Sequence, residues 1–170
     1  KHKKRGHAIL QALKRPQMPT LLLISLLTVT GFGMFEGSFA LMTNQRFGFG
    51  QKEVGYLFGV VGLLIAIYQG AIVRIISKLI PEQKLLILGL TFLIIAFVSL
   101  PIAPLYWPFY LCVIPAAWGS GMNSTSTFAL ASKLTPPEDQ GSLFGVLGAA
   151  QSLGRILGPA IGTLAFAQYG

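Results

Sequence analysis

The residues of this sequence that could do chemistry are few, because its apolar stretches contain few polar side chains. Glu36 is the only acid inside such a stretch. A carboxyl group in a membrane can couple transport to protons or act as a counter-ion for a cationic substrate. A hydrogen-bonded structural glutamate, or one just outside the hydrocarbon region, is the alternative. Glu36 is therefore a candidate coupling or substrate residue.

Gln151 and Arg155 form a second candidate group, in the stretch Gly141 to Thr163. They are four residues apart, so one face of a helix would carry both side chains. An arginine near the middle of a bilayer costs at least ~2.5 kcal/mol, so Arg155 must face protein or water. It could pair with Glu36, pair with a backbone carbonyl, or bind an anion.

Asn123 is the third candidate, because it lies in the run SGMNSTST, which is very polar for a membrane helix. Ser120, Asn123 and Thr127 share a helix face by their three- and four-residue spacing. This face either lines a cavity or forms hydrogen bonds with a neighbouring helix. Gln69, near the end of another apolar stretch, is a further candidate for contact with a substrate.

Glycines at four-residue intervals punctuate the stretch that contains Arg155. Such spacing stacks glycines on one helix face, where another helix can approach closely. Apolar lipid gives two helices no hydrophobic reason to associate, so a close-packed seam of this kind would hold them together. The predicted packing residues are Gly141, Gly145, Gly154, Gly158 and Gly162.

The sequence does not predict an enzyme. Both histidines, His2 and His7, lie in the amino-terminal tail, and Cys112 is the single cysteine. A nucleophilic triad or a metal site inside the apolar stretches is therefore not expected. The glycine-rich runs have no strand before them, which argues against a phosphate-binding loop. We expect no cofactor and no metal.

Composition indicates an all-α membrane protein. The chain has 170 residues, of which 53% are hydrophobic and 11% are charged, whereas a soluble domain carries about 25% charged residues. After a basic linker, residues 1–18, five stretches are long enough to cross about 30 Å of hydrocarbon. The predicted spans are 20–42, 54–76, 85–103, 109–132 and 141–168.

The basic residues predict the orientation of these spans. Ten of the 13 Lys and Arg residues fall on the side of the tail, among them Arg74, Lys78, Lys84 and Lys133. Cytoplasmic loops are enriched in Lys and Arg, so the tail is predicted to be cytoplasmic. The net charge of +8 then reflects topology, and nucleic acid is not an expected partner. Because five spans leave the carboxyl end outside, we expect a sixth span that this sequence lacks.

Three stretches resemble the carboxy-terminal half of a major facilitator superfamily transporter, covering its helices seven to eleven. They are RFGFGQKEVGYLFG (46–59), QGAIVRIISKLIPEQKLLILGL (69–90) and LTPPEDQGSLFGVLGAAQSLGRILGPAIG (134–162). The sequence is most similar to drug:proton antiporters, including tetracycline-efflux-like members. Arg74, Lys78 and Lys84 fall in the second stretch, which resembles the family's basic loop motif but lacks its usual acid.

The resemblance implies a multi-pass transporter of the cell membrane with a substrate cavity between two six-helix halves. Helices seven, eight, ten and eleven would supply this half's cavity face. Expected partners are the lipid bilayer, a small-molecule substrate, protons and the amino-terminal half of the same transporter. The implied activity is proton-coupled efflux of a hydrophobic or amphiphilic compound. Uptake of a metabolite, or a non-transporting role as a membrane scaffold or assembly factor, are the alternatives.

Overall fold

The structure is a computed structural model that describes residues 17–102 and 106–169. The described chain is almost entirely helical. A π-helical turn, Tyr68–Ile72, joins the second helix to the third, and a short 3-10 helix, Pro137–Asp139, precedes the last. The α-helices are α1 (Met18–Phe47), α2 (Gln51–Ile67), α3 (Val73–Leu79), α4 (Glu82–Ile102), α5 (Tyr106–Lys133) and α6 (Gln140–Tyr169).

The described part of each predicted span lies within one continuous helical segment. The second span covers α2, the π-turn and the beginning of α3, and Ala103 at the end of the third span lies outside the described residues. Met18 was assigned to the linker but begins α1, because Pro19 is tolerated in a first helical turn. Most of the predicted basic tail, residues 1–16, also lies outside the described part.

Three segments of the described chain are long and apolar enough to cross a membrane: Met18–Phe47, Gln51–Leu79 and Glu82–Ser99. The helices α5 and α6 are also long enough, at 28 and 30 residues. They are not among the apolar segments, because α5 contains the run SGMNSTST and α6 is rich in glycine and carries Gln151 and Arg155. Their membrane crossing stays a prediction.

Glycine lies at the contact between α1 and α6. A Cβ atom at Gly154 would lie 3.1 Å from the Thr30 nitrogen, and one at Gly158 would lie 2.8 Å from Gly33 Cα. A Cβ atom at Gly162 would overlap the backbone of Met34. Any side chain at these three positions would separate the two helices.

The sequence predicts that Gly141 and Gly145 also pack against a helix, but the described chain has no such contact there. A Cβ atom on either glycine would meet no atom within 4 Å. The reason lies in the spacing between the two glycine groups. Gly145 and Gly154 are nine residues apart, and nine residues at about 100° each place them on opposite faces of a helix. At this end of α6 the buried side chains are Leu143 and Leu147.

Many of the buried apolar side chains of the described residues form two clusters at opposite ends of the bundle. One contains Phe39, Leu57, Val61, Val113 and Ala117, and the other contains Met18, Leu21, Leu86, Ala131, Leu143 and Leu147. In α1, α5 and α6 the polar residues of interest lie in the middle of the helix, away from its ends. The two clusters therefore leave a polar zone halfway along the bundle.

Candidate functional site

A cavity of about 440 Å³ occupies this polar zone, and all five predicted substrate or coupling residues line it. Residues from α1, α2, the π-turn, α5 and α6 contribute to it, whereas none from α4 does. Most of the lining side chains can form hydrogen bonds. The lining residues are Ser25, Thr28, Val29, Phe32, Glu36, Ile65, Gln69, Ser120, Asn123, Ser124, Gln151 and Arg155.

The α1 side of the cavity is built by helical spacing. Ser25, Val29, Phe32 and Glu36 follow one another at intervals of three or four residues, which keeps them on one face of α1. Phe32 and Val29 give this wall an apolar part beside the carboxyl group. Glu36 is solvent-exposed in the described chain, so the cavity is open on the side where Glu36 lies.

The α6 side supplies an amide and a cation. Gln151 Nε2 donates a hydrogen bond of 3.1 Å to Ser25 Oγ, which joins α6 to α1 across the cavity. Arg155 lies one turn further, near the middle of the helix. Arg155 and Glu36 line the same cavity, yet the structure has no hydrogen bond or ion pair between these two described side chains. The sequence left a pairing of Arg155 with Glu36 open, and the structure places both side chains in one cavity without an ion pair.

The α5 side contains a polar group with no partner. Asn123 is only 4% exposed, and its Nδ2 atom has no hydrogen-bond partner. A buried donor left without a partner costs about 1–3 kcal/mol. Asn123 lines the cavity, but its Nδ2 atom is itself buried, so a solute or water could accept this hydrogen bond only after the side chain turns. Thr127, predicted on the same face, is buried outside the cavity lining.

Gln69 reaches the cavity from the π-helical turn. Tyr68, the residue before it, is fully buried, and a Cβ atom at Gly121 would lie 2.7 Å from Tyr68 Cδ1. Gly121 therefore provides the space that the Tyr68 ring occupies. Single π-helical turns inside α-helices occur frequently at functional sites. The sequence reading did not identify the π-turn or the contact between Tyr68 and Gly121.

The basic residues of the loop motif lie apart from the cavity. Arg74 and Lys78 are exposed on α3, and Lys84 is exposed in the first turn of α4. Near them Lys133 Nζ forms an ion pair of 2.6 Å with Glu82 Oε1. These residues mark one end of the bundle and do not contribute to the cavity lining.

A second cavity, of about 390 Å³, lies between α1, α4 and α6. Ser38 is the only hydroxyl-bearing residue among those that line it, and its Oγ already donates to the Met34 carbonyl at 2.8 Å. The other lining residues are apolar. This cavity offers no free polar group to orient a solute, so the polar cavity is the candidate site.

Comparison with known proteins relates the chain to a family. A family model described as "Major Facilitator Superfamily" matches residues 1–159. Solute carrier family 67 member A1 of Homo sapiens is 26% identical over 96% of this chain and 38% of its own length. Solute carrier family 22 member 18 of Mus musculus is 26% identical over 96% of the chain and 40% of its own length. The chain thus spans about two fifths of these relatives, and no solved structure matches it significantly.

Proposed function

The chain belongs to the Major Facilitator Superfamily, and from this premise we propose that it is part of a proton-coupled exporter of an amphiphilic or hydrophobic small molecule. Members of this family are transporters rather than enzymes. Secondary transporters of this kind bind their substrate near the middle of the bilayer, between two halves that rock around the site.

The observation that carries the proposal is the position of the polar cavity. A carboxyl group and a guanidinium group line one cavity halfway along a bundle whose ends are packed with apolar side chains. Ionisable side chains inside membrane bundles are rare and commonly mark substrate or ion pathways. Phe32, Val29 and Ile65 add an apolar surface that suits the body of an amphiphile.

In this proposal Glu36 binds either a proton or the cationic part of the substrate, but not both. Proton binding on one side of the membrane then releases the substrate, and proton release on the other side prepares Glu36 for the next one. Asn123, Gln69 and Gln151 contact the substrate or hold its surroundings.

The proposal includes an amino-terminal half that closes the open side of the cavity. The chain spans only 38–40% of its curated relatives, which leaves length for such a half.

We place the protein in the cell membrane, with the end that carries Arg74, Lys78 and Lys133 in the cytoplasm. A membrane-impermeant thiol reagent should then label Lys52→Cys from the outside of intact cells.

The experiment that tests this function is efflux of the cationic dye rhodamine 123 from vesicles that contain the full-length parent protein. We expect a pH gradient to drive efflux with wild type and to have no effect with Glu36→Gln. Glu138→Gln is the matched control, because it removes an exposed carboxyl group outside the cavity. It should keep wild-type efflux.

Three results would count against the proposal. Gradient-driven efflux that survives Glu36→Gln would return Glu36 to a structural role. Dye transport only toward the side of the vesicle membrane that corresponds to the cytoplasm would favour uptake. No gradient-driven movement at all, together with loss of a bound partner protein in the Glu36→Gln variant, would favour a scaffold.

A further inference from the structure

We propose that the polar cavity selects amphiphiles whose head group carries both a positive and a negative charge, with the anionic end at Arg155 and Asn123 and the cationic end at Glu36. This inference rests on the proposed function and names the class of substrate for the same site.

The first argument is the charge of the cavity lining. Among the described residues that line it, Glu36 is the one acid and Arg155 is the one base. A solute with only a positive charge would meet the guanidinium, and a solute with only a negative charge would meet the carboxylate. A zwitterionic head group can satisfy both side chains and so avoids either repulsion.

The second argument is that Glu36 and Arg155 do not already satisfy each other. Both side chains line the cavity, but neither an ion pair nor a hydrogen bond joins them in the described chain. Both side chains are exposed in the described chain, so each can still take a partner. Space between two such groups lets a solute enter without first breaking a salt bridge. It also allows each end of the solute to face the opposite charge.

The third argument identifies the anionic end as an oxygen-rich group. Asn123 Nδ2 is a donor, is buried within a side chain that is 4% exposed, and has no partner. Arginine offers five N–H donors in a planar fork that matches a carboxylate. One N–H of the Gln151 amide is not available to a solute, because it already donates to Ser25 and so joins α6 to α1. Arg155, together with Asn123 once its side chain turns toward the cavity, therefore forms the acceptor-binding end of the site.

The test compares two dyes that differ at one group. Rhodamine 110 has a free carboxylate beside its cationic ring system, and rhodamine 123 is the methyl ester of the same molecule. Binding is measured by fluorescence anisotropy with the purified full-length parent in detergent. We expect wild type to bind the acid about tenfold more tightly than the ester, the effect of one charge-assisted contact.

The variants assign this preference to residues. Arg155→Gln should raise the Kd for rhodamine 110 to that for rhodamine 123 and leave the ester's Kd unchanged or lower. Arg155→Lys should keep most of the preference because it keeps the charge. Asn123→Ala, which changes no charge, should weaken binding of the acid and not of the ester. Lys52→Gln removes an exposed cation outside the cavity and should change neither Kd.

Equal or tighter binding of the ester by wild type would overturn the inference, as would an Arg155→Gln variant that weakens both dyes equally. Absence of binding for both dyes to a monodisperse wild-type sample would overturn it too. Because these binding measurements do not involve transport, their result is independent of the result of the efflux experiment. Selective binding of the acid without gradient-driven efflux would uphold the head-group inference and reject the exporter.

Discussion

Polar residue types inside apolar stretches were sufficient to select side chains that line one cavity, and the role of these side chains in binding stays a prediction. Glu36, Asn123 and Arg155 are far apart in the sequence, yet each had to face protein or water for the same reason, which is the cost of placing it in lipid. All three line one cavity. The hydrogen-bond partners could not be predicted, since Gln151 bonds to Ser25 across 126 positions of sequence. Nothing in helical spacing indicates such a contact.

Asn123 gives a prediction at the scale of one residue. Because its Nδ2 atom is buried without a partner, removing the amide with Asn123→Ala should not lower the thermal unfolding midpoint of the unliganded protein. Ser25→Ala is the comparison, because it removes the acceptor of the Gln151 hydrogen bond and should cost about 1 kcal/mol of stability. Melting curves of the purified parent in detergent measure both.

A marked fall in the melting temperature for Asn123→Ala, as large as that for Ser25→Ala, would show that the Asn123 amide has a structural partner. Its unpartnered donor would then no longer support a binding role.

The helices and their contacts were only partly predictable. Four-residue spacing identified Gly154, Gly158 and Gly162, which contact α1, but Gly141 and Gly145 lie on the opposite face of α6. The sequence also did not indicate a second close contact, between α4 and α5. There a Cβ atom at Gly119 would lie 2.7 Å from the Gly89 carbonyl oxygen. A glycine contact depends on two helices, so one helix's spacing cannot identify its partner.

Gly158 gives the first prediction for an element. Gly158→Ala should destabilise the protein by about 1–3 kcal/mol, because the new methyl group would lie 2.6 Å from the Thr30 carbonyl oxygen and the helices must separate. Gly145→Ala is the matched control on the same helix and should be neutral or stabilising, since its Cβ atom meets open space. Thermal unfolding in detergent measures both. Equal effects of the two substitutions would contradict the assigned packing face.

The π-turn gives the second prediction for an element. Gly121→Ala should displace the Tyr68 ring and, with it, the neighbouring Gln69, so the half-saturation concentration for the transported dye should rise several-fold. Gly70→Ala changes a glycine of the same turn whose Cβ atom would meet nothing within 4 Å. It should leave dye transport at the wild-type level. A wild-type half-saturation concentration for Gly121→Ala would show that Tyr68 does not position Gln69.

At the scale of the whole molecule, composition was sufficient for the fold class, and family membership agrees with it. Long apolar stretches can satisfy their backbone hydrogen bonds in lipid only as helices or closed barrels, which limits the possible folds. Hydropathy alone does not identify α5 and α6 as membrane spans, because these helices carry much of the polar lining of the cavity. Their polarity is explained once the cavity is known, and the cavity itself requires the packing of five elements.

The central claim for the whole molecule is that Glu36 exchanges a proton for the substrate. The most direct test is proton release in a weakly buffered detergent solution of the full-length parent when rhodamine 110 is added. We expect wild type to release a proton for each dye bound at a pH where the free site is protonated, and Glu36→Gln to bind dye without releasing one. Undiminished proton release by Glu36→Gln would contradict it.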